Sequence, residues 1–198
     1  MTLKELLNSW NVIDVPNDDF VFEQLCSTNP DNCFFIDRFP IRVESFNKYS
    51  QLEVFYDSVL NGDLCAEIYL KEEEKIKNIL KKLWLYSFLE VETNLAFIED
   101  EKITKVIDAS KMPFVEELRK MAGEELFTVE NVDHLDTLLE LGLRDRVESC
   151  FVFSDLEIVA WINGLIVLLY MVNLEKKALV EKIVCTEGMY LRPYKQAE

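Results

Sequence analysis

The apolar positions of this chain come in short runs whose spacing switches between helical and extended. The most apolar run is "IVAWINGLIVLLYMV", Ile158 to Val172. Its fifteen residues fall short of the roughly 20 needed to cross a bilayer, and Asn163-Gly164 interrupts it. Asn-Gly between two apolar arms signals a hairpin, because both residues accept the positive φ of a type I′ turn. The arms carry Ile158, Val159, Trp161 and Ile162, then Ile166, Val167, Tyr170 and Val172, side chains that suit a pleated surface. The second arm barely alternates, which places it in mid-sheet with both faces covered. Val167, Leu169 and Trp161 are therefore expected to be almost fully buried.

The rest of the chain punctuates itself. Thr2-x-x-Glu5 is a capping box before Leu3, Leu6, Leu7 and Trp10 at helical spacing. A short helix is expected over 17–27, with Phe22, Leu25 and Cys26 inward, followed by strands at "CFFID" and "IRVESF". Ser50-x-x-Glu53 reads as a second capping box, opening a helix that faces inward with Leu52, Phe55, Tyr56 and Val59 and stops at Asn61-Gly62. "LCAEIYL" reads as a strand and 71–89 as the longest helix, with the stripe Ile76, Ile79, Leu80 and Leu83 and a Glu73–Lys77 surface pair. "ETNLAFI" and "ITKVI" flank "EDEK" as a hairpin would. Pro113 opens a helix running to Gly123, "ELFTV" is a short strand, and Asn131 caps a helix ending at Gly142. "SCFVF", the 158–172 hairpin, a helix over 173–186 and a strand near "MYLRP" complete the chain. Hairpins outnumber βαβ units, so the pattern predicts one α+β domain over 1–198, with a mixed or antiparallel sheet packed by amphipathic helices.

Composition places the chain among soluble proteins. About half of its 198 residues are apolar, enough for a real core. "MTLKELLNSW" lacks a basic start followed by an apolar run, so a cytoplasmic protein is expected. Cys26, Cys33, Cys65, Cys150 and Cys185 are odd in number and irregularly spaced, which reads as buried, reduced thiols with no disulfide framework.

Charge changes the picture most. Thirty-seven acids against twenty-one bases give a net −16. Residues 1–62 carry ten acids and four bases, 63–110 eleven and seven, 111–150 ten and five, and 151–198 six and five. The acidic surface thus belongs mainly to 1–150, and the last quarter builds core. Glu72 to Glu74 read as first-turn acids favoured by the helix dipole. Such a field repels nucleic acid and anionic membrane and speeds association with basic proteins.

Candidate chemistry is sparse. The single histidine, His134, reads as a solvated residue near a helix start. No cysteine pair has chelating spacing, so no metal is expected, and five glycines form no phosphate-binding motif, so no cofactor is expected. With no catalytic motif, an enzyme is the less favoured reading. The sequence points to an inhibitor of a basic protein partner, such as a nuclease or toxin, in the manner of immunity proteins, antitoxins or phage anti-defence proteins. Its contact residues are expected at Glu99, Asp100 and Glu101 in the loop "EDEK" and at Glu130, Asp133 and Asp136, with Phe97 or Leu135 as apolar anchors. A small hydrolase or transferase using carboxylates or cysteines, and a subunit of a larger assembly, are the alternatives.

Overall fold

The computed structural model describes residues 1–12, 22–50, 54–62, 66–123 and 125–195. The helices are α1 (Leu3–Ser9), α2 (Phe22–Thr28), α3 (Phe46–Tyr49), α4 (Tyr56–Leu60), α5 (Ala66–Trp84), α6 (Asp100–Thr104), α7 (Met112–Met121), α8 (Val132–Leu143) and α9 (Lys177–Thr186). The strands are β1 (Cys33–Asp37), β2 (Leu89–Thr93), β3 (Phe127–Thr128), β4 (Ser149–Phe153), β5 (Ile158–Asn163), β6 (Ile166–Met171) and β7 (Tyr190–Pro193). They form one sheet in the order β3-β2-β4-β5-β6-β1-β7, antiparallel at every pairing. The fold is α+β, as the pattern predicts. Among the described residues no helix is long and apolar enough to cross a membrane.

Alternation along the strands sorts side chains onto two faces. Val167, Leu169 and Met171 of β6 join one core with the inward stripe Ile76, Ile79, Leu80 and Leu83 of α5 and with α7, α8 and α9. Leu168 and Tyr170 of the same strand face the other way, against Leu3, Leu6 and Leu7 of α1 and Leu25 of α2. Strand β6 is therefore covered on both sides, as its lack of alternation implies. Val167 and Leu169 are fully buried, whereas Trp161 is half-buried beside Phe22. The capping box at Thr2 forms in both directions, and the side chain of Asn131 accepts from the Asp133 amide at 2.8 Å.

The 158–172 hairpin forms with Asn163 paired to Ile166, so the turn's central residues are Gly164 and Leu165, not Asn163 and Gly164. Only Gly164 takes a positive φ (56°) there, the pattern of a type II′ turn with glycine in its first central position. Replacing Gly164 by valine should cost about 1 kcal/mol or more, because a branched side chain resists that φ. The urea midpoint checks this; no change would show that the turn relaxes without strain.

Several expectations are corrected. Residues 66–70 of "LCAEIYL" are helical, because α5 already begins at Ala66 and buries only Tyr69, leaving Ile68 and Leu70 exposed. Glu72 to Glu74 consequently lie beyond the first turn. "ITKVI" forms no strand: Ile103, Val106 and Ile107 are buried at i, i+3 and i+4, spacing that serves a helical turn as well as a strand. Both neighbours of β2 are already taken, by β3 and β4, and "EDEK" is the start of α6 rather than a loop tip. "IRVESF" likewise forms no strand: β6 and β7 already flank β1, and its last residue opens α3. Of the Ser50 capping box, Ser50 bonds back to Asn47, while Leu52 and Glu53 lie outside the described residues; α4 starts at Tyr56. That helix does end at Asn61, with Gly62 at φ 69°. Residues 17–21 of the second expected helix are also outside the described residues. Gly142 sits inside α8 instead of ending it, with its α-carbon face close to the Ile162 side chain. The stop comes at Arg144 and Asp145, where Asp145 has φ 58°.

Cys26 and Cys33 are not free thiols. They form a disulfide with α-carbons 5.5 Å apart that ties α2 to β1 on the smaller face. Cys150 is a buried free cysteine, Cys185 an exposed one, and Cys65 lies outside the described residues.

Candidate functional site

The acids that the sequence singles out, some thirty positions apart, flank a single helix. Glu99 precedes α6, and Asp100 and Glu101 occupy its first turn, where a helix dipole favours them. Asp100 pairs with Arg119 of α7, which also contacts Glu116 at 3.3 Å. On the other side of α7, Glu117 meets His134 Nε2 of α8 at 2.8 Å, and Phe114 packs edge-on against the same ring. His134 is thus a half-buried tie between helices, not a solvated residue. These contacts place α6, α7 and the start of α8 side by side. Glu99, Glu130 and Asp133 are exposed there and make no ion pair among the described residues, and Glu101 pairs only with Lys105 in full solvent. Phe97 (78% exposed) precedes Glu99 closely, Val132 stands between Glu130 and Asp133, and Met121 ends α7; all three are exposed. Leu135, the other expected anchor, is completely buried against the core.

Asp136 does not belong to that face. It turns inward and accepts from Lys77 (3.0 Å), Lys81 (2.6 Å) and Lys111 (2.7 Å). Burial alone would raise its pKa, but hydrogen bonds from the three lysines prevail and hold the carboxyl well below the usual range. The chain of charge continues from Lys111 to Glu140, from Glu140 to Arg144, and from Arg144 to Glu73, the last pair bidentate at 2.9 Å in both bonds. It spans the α5–α8 interface, so Glu73 and Lys77 look to other elements and do not form the expected surface pair. A carboxyl depressed below its unfolded value of about 3.9 adds stability above that pH and loses it as pH falls through the folded value. The wild type should therefore be more stable than Asp136→Asn at pH 7, with the difference shrinking in strong acid. A pH-independent difference between their unfolding curves would contradict this linkage.

The cysteines offer no nucleophile at Cys150: it is sealed, and burial pushes its thiol up, the reverse of an activated thiolate.

A second concave region escaped the sequence reading. A cavity of about 530 Å³ opens at the end of the sheet between the β5–β6 turn, the end of β1, α4 and the first half of α5. Four of the six arginines in the chain line it: Arg38, Arg144, Arg146 and Arg192. Arg144 is committed to Glu73, Glu140 and the Val106 carbonyl, with its guanidinium over the Tyr56 ring. Tyr56 donates to the Val106 carbonyl at 3.1 Å and Tyr69 to that of Leu143, fixing the rear wall. Burial raises both phenol pKa values, so both hydroxyls stay protonated donors. The available signal was the scarcity of arginine itself: Arg144 and Arg146 are close in sequence, but Arg38 and Arg192 reach them only through the pairing of β1 with β7.

Compared with protein-family models, with curated proteins and with solved structures, the chain matches none.

Proposed function

We propose that this is a small acidic binding protein that docks the face around α7 onto a basic surface of another protein and blocks it, as an immunity protein, antitoxin or anti-defence protein does. One observation carries the reading: Glu99, Asp100, Glu101, Glu130 and Asp133 flank one helix, with Phe97 and Val132 exposed beside them in the chain. Acidic groups around apolar anchors give steering at long range and adhesion at short range. A nuclease or toxin that presents a phosphate-binding groove is the kind of target such a face fits. Capture from native lysate tests the reading when the eluted partner is basic, stoichiometric and released by salt; a partner held equally at high salt, or through another face, contradicts it.

A cytoplasmic address is part of the proposal. The Cys26–Cys33 bond argues the other way, because reducing compartments keep such pairs open. Alkylation at the moment of lysis decides the point: both thiols modified places the protein in a reducing compartment, and neither modified places it in an oxidising one.

A further inference from the structure

We propose that the arginine-lined cavity binds a nucleoside monophosphate, a property separate from the docking face, since none of its lining residues belongs to that face. At about 530 Å³ it falls within the range of small-molecule sites, about 300–1,000 Å³. The arginines matter because they gather at one cavity in a chain of net charge −16. Arg144 is structural, but Arg146 and Arg192 keep guanidinium donors that no described residue takes. Among the described residues Arg146 makes only a 3.8 Å contact with Asp57 and a 3.3 Å bond to the neighbouring Asp145 carbonyl. Arg192 donates its Nε to Asp37 at 2.9 Å, and its terminal nitrogens make no hydrogen bond among the described residues. Guanidinium forks with open donors match phosphate oxygens in pairs.

Two further features narrow the ligand. Glu72 lines the cavity, and its buried Oε2 has no hydrogen-bond partner among the described residues, although Oε1 of the same carboxylate accepts from Lys75 at 2.8 Å. A buried acceptor of this kind calls for a donor, as the amine or hydroxyl of a nucleoside provides. Aromatic side chains, among them Tyr49 and the exposed Phe55, also line the cavity and offer flat apolar surface to a base. The number of phosphates follows from charge. Asp37, Asp57, Glu72 and Asp145 also line the cavity, and a single phosphate meets less repulsion from them than a triphosphate does.

Calorimetric titration of the full chain with AMP, GMP, CMP and UMP, each beside its nucleoside and beside inorganic phosphate, tests the assignment. At least one monophosphate should saturate one site per chain, with its nucleoside and phosphate alone each weaker by about tenfold or more. Arg146→Gln should lose about tenfold or more in affinity, and Arg192→Gln a similar amount. Lys182→Gln, an exposed α9 residue with the same change of charge, should bind as the wild type does. Arg146 has only weak contacts, so its variant keeps the test valid if Arg192→Gln does not fold. Absence of binding by every monophosphate, equal binding of phosphate alone, or full affinity in Arg146→Gln would each overturn the proposal.

Discussion

Replacing Arg144 by alanine is expected to cost about 3–5 kcal/mol of folding stability, the penalty of leaving buried carboxylates without their cation. Arg144 holds Glu73 through two bonds of 2.9 Å and also contacts Glu140, and both acids are almost completely buried. Its guanidinium also lies over the Tyr56 ring and donates to the Val106 carbonyl. The loss should therefore exceed that of Lys81→Ala, whose ammonium is more exposed and shares Asp136 with two other lysines. That pair is only part-buried, so solvent screens it more than it screens Glu73 and Arg144. Adding Glu73→Gln to Arg144→Ala should recover part of the stability, because it removes one stranded charge. Urea unfolding reads all three variants. A loss under about 1 kcal/mol for Arg144→Ala would mean that water screens the pair as at a surface.

Much of the fold was legible where local chemistry and tertiary need coincide. Thr2 and Glu5 cap a helix whatever surrounds them, and the β-branched and aromatic arms around Gly164 suit a sheet better than a helix. Legibility failed where one pattern serves two structures. Ile103, Val106 and Ile107 fit a strand or a helical turn, and the choice fell to the sheet, which has no free edge beside β2. The same holds for "LCAEIYL", where exposure of Ile68 and Leu70 separates helix from strand. The disulfide was hidden because Cys26 and Cys33 meet only once α2 packs beside β1. The sequence shows acids as a count, and only the fold separates their uses. Asp136, Glu140 and Glu73 serve the interior, whereas Glu99, Glu130 and Asp133 remain on the surface. Glu73 looked like an ordinary surface charge for the same reason: its partner Arg144 comes from a distant part of the chain.

Charge reversal on the α7 face should produce the largest functional effect. Two charge-reversed acids on a docking face change attraction into repulsion, and steered association falls by about tenfold or more at low salt. Phe97→Ala should act differently, speeding dissociation with little change in the on-rate, since an exposed ring of 78% accessibility is an anchor and carries no charge.

The most direct measurement compares association rates of the captured basic partner with three doubly reversed variants, at low and at high salt. Glu99→Lys/Glu101→Lys and Glu130→Lys/Asp133→Lys alter the two sides of the α7 face, and Asp155→Lys/Glu157→Lys alters acids beyond it. The account predicts that the first two lose about tenfold or more in on-rate at low salt, that the third changes little, and that high salt erases the differences. Equal, small losses in all three would show that the acidic surface serves solubility alone and would contradict the docking role.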